Sequence, residues 1–350
     1  MGAVAGEWGA GGVLRQEPAC FGVNDPVCHW HDWIGTAQRM QLKKGSFHPH
    51  LDSLNSPQMK PDKTQTAEKR PAGSPRSVKS LVPSASAGSP AKKAAAKKSA
   101  KVPPPRMTLA GTMLELEKAG SAQTRKTYAR HGAPEPMFGV SFATLKALTK
   151  RIDVDHGLAL ALWDTGNFDA QNLAVKIVDP ARMTPDDLDR WIRTSSWALM
   201  CGSYAAMLPA EGPHAAAKSV QWLESQDERE RTAGWTLLGQ LAQRDTTSPD
   251  AVFEKRLAEI ERTIHAAPNV ERAIMNRTVI EIGCRNAALR KAALAAAKRI
   301  GKVEVDHGDT ACKTPDAVEY IEKAWTHAKA KGFESPAAQE RARDVPRRRC

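Results

Sequence analysis

From Met107 to Lys331 apolar residues recur every three or four positions, and no stretch alternates apolar with polar residues as a half-buried strand does. That periodicity restricts the region to packed helices. Leu109, Met113, Leu114 and Leu116 mark a first helix over 108–119, and Ser121 caps a second through Arg130. Ser141 opens a third carrying Phe142, Leu145, Leu148 and Ile152. His156 to Trp163 and Asp169 to Val178 follow, and Thr184-Pro185 with Asp186 and Asp187 starts another that reaches Trp191 and Ile192. The pattern predicts further helices over 197–208, 213–225, 227–244, 249–266, 270–284 and 287–300, and a last one from Thr314 to Lys331.

Helix pairs therefore return at intervals of roughly 35–45 residues. Each is too short to bury its apolar face alone, so successive pairs must stack. The expected fold is all-α, a HEAT-like α-solenoid of antiparallel helix pairs over 107–331, with a generic helical bundle as the alternative.

Outside that region the composition changes. Residues 1–58 show no sustained period and read as a disordered extension. Cys28, His29 and His31 there lack the second ligand pair that a structural zinc site needs. Residues 59–106 are rich in Lys, Ala and Pro, with twelve Lys and Arg against Asp62 and Glu68. That surplus of ten accounts for most of the chain's net +12. Such a disordered basic tail is drawn to polyanions without reading sequence. Residues 332–350 read as a second, basic disordered tail. No stretch approaches the roughly 20 apolar residues of a membrane span, no secretory leader is evident, and the six cysteines have no paired spacing. A cytoplasmic, nucleoid-associated protein with reduced thiols is expected.

Within the helical region, several motifs fall in a telling order. Phe138-Gly139-Val140-Ser141-Phe142-Ala143-Thr144-Leu145-Lys146 comes first, then Leu162-Trp163 ahead of Asn172-Leu173-Ala174. Trp191 before Ser196-Trp197, Trp222, and Glu230-Arg231-Thr232-Ala233 complete the series. Together they resemble the AlkD-like DNA alkylation repair family over roughly 107–331. The segment Gly301 to Lys313 is similar to one found in a branch of that superfamily.

The resemblance implies a solenoid that grips duplex DNA, some members excising cationic N3- or N7-alkylpurines as monofunctional glycosylases. A base that already carries positive charge leaves easily, so a carboxylate and aromatic faces suffice to stabilise the oxocarbenium-like sugar. No metal or other cofactor is required. The family's first Trp maps to Trp197 and its phosphate-gripping Arg to Arg231. The catalytic Asp, four residues after the first Trp, maps to Cys201, a neutral thiol unless its pKa is lowered. Glu281 falls near the family's second Trp and is the candidate for the missing carboxylate, supplied from a neighbouring repeat. Trp235 shares the face of Arg231 one turn on.

Bland readings compete. Trp191 and Trp197 also suit a core, Cys201 a small buried hydrophobe, and Arg231 a solvated charged face. Asp306 to Lys313, with Asp, His and Cys together, suits a metal or a Cys/His pair, but more simply a capped loop with Cys312 packed beneath. A basic stripe of Lys146, Lys150, Arg151, Arg193, Arg231, Arg277, Arg285 and Lys313 would mark a DNA face. Two readings stand: a monomeric repair protein for alkylated DNA, with turnover open, or a non-catalytic helical-repeat scaffold binding nucleic acid or a protein.

Overall fold

Most of the helices start where a short polar side chain can satisfy the free amides of a first turn. In the computed structural model, which describes residues 106–350 except 309, 311, 344 and 350, Thr108, Ser121 and Ser141 cap α1 (Leu109–Ala119), α2 (Ala122–Arg130) and α3 (Phe142–Ile152). Asp155 and Asn167 cap α4 (His156–Asp164) and α5 (Phe168–Ile177). Thr184 and Asp187 form a capping box on α6 (Pro185–Thr194). The helices α7 (Ala215–Leu223), α8 (Glu228–Arg244), α9 (Asp250–Thr263), α10 (Asn269–Gly283) and α11 (Ala287–Ile300) follow. Then come α12 (Ala317–Ala330) and α13 (Pro336–Arg341). The expectations for residues 1–58 and 59–105 lie outside the described residues.

The helices stack in sequence order. α4 packs on α5, α7 on α8, α8 along α10, and α10 on both α11 and α12. The inner member of each layer is buried nearly all round: α5 from Phe168 to Ile177, and α8 from Thr232 to Gln243. Such helices have neighbours on every side, which is how stacked pairs make one continuous core. Trp163 and Trp191 lie inside it, stacked 4.1 Å apart and nearly parallel, so Trp191 is a core residue. No described helix is long and apolar enough to cross a membrane.

Two departures from the sequence reading have physical causes. The helix expected over 197–208 is broken. A π turn over Ala198–Gly202 closes with the Gly202 amide donating to the Trp197 carbonyl at 3.1 Å, and leads into one α turn and a 3-10 turn at Leu208–Glu211. A Cβ on Gly202 would come within 2.9 Å of Ser195 Oγ, so the tight approach needs glycine there.

The loop expected between two helices is there: the described residues of 301–316 form an irregular strap between α11 and α12. Asn269 holds it as a backbone would: its Nδ2 donates to the Asp306 carbonyl and its Oδ1 accepts the Asp306 amide, both at 2.8 Å. Arg272 donates to the Glu304 carbonyl and Asn276 to that of Pro315, each at 2.9 Å.

The second departure corrects the disordered tail expected over 332–350. Pro336–Arg341 is helical and packs against α8 and α12. Beyond it Arg348 is buried, its guanidinium donating to the Val175 carbonyl at 2.8 Å and paired with Glu211 at 3.1 Å. Lys176 Nζ returns a bond to the Arg348 carbonyl at 2.9 Å. A basic segment reads as a solvated tail until a half-buried carboxylate and helix-end carbonyls are placed beside it.

Candidate nucleic-acid interface

The π turn sets Trp197 in extended backbone at φ −140°. Its half-buried ring packs against Phe168 with centroids 5.8 Å apart, and its Nε1 lies beside Gly132, the left-handed residue (φ +86°) that follows α2. From there opens a cavity of about 590 Å³. Its walls come from the end of α2, the π turn, the first half of α10, the strap, and Tyr320 of α12. Leu199, Met200 and Ile274 give it apolar lining, and Arg130, Arg277 and Lys313 bring positive charge. Asp306 is the one carboxylate among the described lining residues, and its Oδ1 accepts the Gly308 amide at 2.8 Å.

Arg130 and Lys313 are exposed, and neither meets a carboxylate among the described residues. Arg277 spends only its Nε, donated to Glu281 at 3.0 Å, and its terminal nitrogens donate to no described residue. His131 and His307 also line the cavity. Burial holds both below the usual histidine range, with Arg130 pushing His131 further down.

Other expected site residues are elsewhere or otherwise engaged. Cys201 is fully buried, its thiol within 3.7 Å of the Phe168 carbonyl and of Ser196 Oγ. Burial pushes its pKa up to about 12. It is a neutral core group and supplies no charge, so its candidacy as a catalytic residue fails. Glu281 is buried against Gly239 of α8 and does not line the cavity; it reaches it only through Arg277. The carboxylate expected there is therefore absent from the wall.

The basic residues expected on a DNA face divide in the same way. Arg231 is paired with Glu271 at 3.1 Å and donates to the carbonyls of Ser225 and Gln226. Trp235 is buried, its Nε1 donating to the same Glu271 at 3.2 Å. These two close one repeat against the next. Arg285 is buried over the Phe253 ring and donates to the carbonyls of Leu241, Ala242, Asp245 and Ser248. It fastens the α8–α9 turn. Arg193 is shared between Glu230 at 2.9 Å and Asp189 at 3.5 Å. Lys146 and Lys150 lie on α3, away from the cavity lining. No continuous stripe forms, because long-range carboxylates and carbonyls claim half of its members, Arg151, Arg193, Arg231 and Arg285.

The strap is a capped loop. Thr310 Oγ1 donates to the His307 carbonyl at 2.8 Å and accepts the Cys312 amide at 3.3 Å, while His307 Nε2 bonds Thr314 Oγ1 at 3.0 Å. No group of three His, Cys, Asp or Glu among the described residues is placed to hold a metal ion.

One buried acid escaped the sequence reading. Asp169, in the first turn of α5, accepts the amides of Phe138, Gly139 and Val140 at 2.6, 2.9 and 2.9 Å. Burial raises its pKa, and the three amide bonds pull it back. It locks the Phe138-Gly139-Val140 turn, where Gly139 has φ +79° and a Cβ would meet Arg125 N at 2.6 Å. That motif is scaffold; its only local signal was an acid just after the Asn167 cap.

Comparison with known proteins fits this architecture. Residues 112–321 match the family described as DNA alkylation repair enzyme. An uncharacterized protein of Listeria monocytogenes is 28% identical over 221 residues, covering 61% of this chain and 96% of the relative. One of Listeria innocua is 29% identical over 216 residues, covering 60% and 94%. A solved structure, described as representing a new family of proteins related to the HEAT-like repeat DNA glycosylases with affinity for branched DNA structures, matches with a TM-score of 0.59 at 31% identity. The match covers 65% of this chain and 97% of that one. With its stack of HEAT-like helix pairs and a match spanning most of that stack, this chain belongs to the AlkD-like DNA alkylation repair enzyme family.

Proposed function

We propose that the chain binds DNA through the face on which the Trp197 cavity opens, as a recognition protein of alkylation or branched-structure repair, without excising bases. The observation that carries this is the charge of the wall. Among the described lining residues, Arg130, Arg277 and Lys313 stand with a single, hydrogen-bonded carboxylate. Such a wall attracts phosphate and repels the cationic alkylpurine that a glycosylase of this family would have to hold. Cys201 supports the same reading, since a buried thiol with a pKa of about 12 offers no negative charge to an oxocarbenium-like sugar. A DNA-bound protein of this kind would be found on the nucleoid.

The test uses the full chain with methylated duplex and with branched DNA, measuring base release and, by fluorescence anisotropy, binding across a salt series. Binding without release is expected, with the salt slope smaller by about 0.9 for each of Arg130→Ala and Lys313→Ala. Base release that Trp197→Ala abolishes would instead establish a glycosylase. Neither release nor binding would leave a solenoid that binds a protein partner.

A further inference from the structure

The cavity has a size and a shape that a paired duplex does not use. A duplex is about 20 Å across and presents its phosphates along an outer ridge, so it needs a surface rather than a hole. A volume of about 590 Å³ accommodates one nucleotide that has left the stack. The lining holds the chemistry that both halves of such a nucleotide need. The Trp197 ring and the apolar Leu199 and Met200 offer stacking and apolar contact, and Arg130, Arg277 and Lys313 supply cationic groups. Aromatic faces take any base by stacking, and cations follow the backbone, which gives preference for unpaired strands without a sequence code.

From these observations, and resting on the reading that this face binds DNA, we infer that the cavity houses a single unpaired nucleotide at a branch point, its base against Trp197 and its phosphate held by Arg130, Arg277 and Lys313. The strap makes one wall of this site. Asn269 fixes its first half by taking both backbone groups of Asp306 at 2.8 Å, and Lys313 lines the cavity from its second half. Asn269 is thereby a positioning residue, acting through Lys313.

The experiment compares three DNAs of equal length with the full chain: a paired duplex, the same duplex with one unpaired 2-aminopurine, and a three-way junction carrying 2-aminopurine unpaired at the branch. Tighter binding of the unpaired forms by about tenfold is expected, together with a change in 2-aminopurine fluorescence on binding. Trp197→Ala should abolish the fluorescence change. Because that variant also loses contact with Phe168, Lys313→Glu at an exposed position provides a second test and should reduce the preference with an unchanged Tm. Asn269→Ala and Lys313→Ala should lower the salt slope by equal amounts that do not add in the double variant. A merely structural Asn269 would lower Tm and leave the slope alone. Equal affinity for paired and unpaired DNA, or a 2-aminopurine signal indifferent to Trp197, overturns the nucleotide site while leaving DNA binding intact. Absence of DNA binding altogether overturns both.

Discussion

The repeat interfaces and the cavity wall use the same kinds of residue to opposite ends. Between repeats, cations meet carboxylates or carbonyls of this chain: Lys218 bonds Asp189 at 2.7 Å, Arg231 pairs with Glu271 at 3.1 Å, and Arg285 fastens the α8–α9 turn. At the cavity, among the described residues, Arg130 and Lys313 reach no carboxylate and the terminal nitrogens of Arg277 reach no acceptor. A cation available to a ligand is one the fold has left without an internal partner. The net charge of a segment says little about which of its cations are available.

The sharpest way to break this distinction is at the interface with the most buried charge. Asp189 accepts bonds from Lys218, Gln221 and Trp222, and Lys218 is itself buried. Asp189→Ala strands that ammonium and should cost about 3–5 kcal/mol in urea unfolding. Removing residues 342–350 should cost about 2–3 kcal/mol, since Arg348 and its bonds to Val175 and Glu211 go with them. A thermal midpoint indifferent to that truncation would return the segment to the status of a tail.

Arg231→Ala and the pair Arg130→Ala/Lys313→Ala should separate cleanly. The first should cost about 2 kcal/mol of stability through the buried Glu271 it abandons, with the salt slope of DNA binding intact. The second should lower the slope by about 2 with Tm unchanged. Iodoacetamide followed by peptide mapping compares two thiols: native protein should be modified at the half-buried Cys312 and spared at Cys201, whose pKa of about 12 leaves almost no thiolate.

The smallest effect is that of pH. His131 and His307 lie below the usual histidine range of about 6.5 when folded. Below that pH the unfolded chain binds protons first, so their contribution to stability is present above about 6.5 and is lost as pH falls toward the folded values. Replacing either with Asn should flatten the fall of Tm between pH 7 and 5.5.

Legibility followed the range of each interaction. Ser121, Ser141 and Thr184 marked helix starts because a cap bonds amides within three residues, and 287–300 was recovered whole because its apolar face repeats locally. The motif around Trp197 singled it out, and that residue lines the cavity. The π turn was not, because it depends on the close approach of Ser195 to Gly202. Asp169 was missed because its amide partners lie about thirty positions earlier.

What the sequence determined alone was the class of fold: apolar residues at helical spacing in pairs too short to stand alone must stack. Its motif order was enough to place the chain in its family. Only the tertiary structure decided which polar groups remain for a ligand. Arg231 and Lys313 look alike in sequence, but Glu271 lies forty positions from one and no carboxylate among the described residues reaches the other. The reason is physical: a charge is neutralised by what stands within a few ångströms of it in space, and chain separation carries no record of that distance.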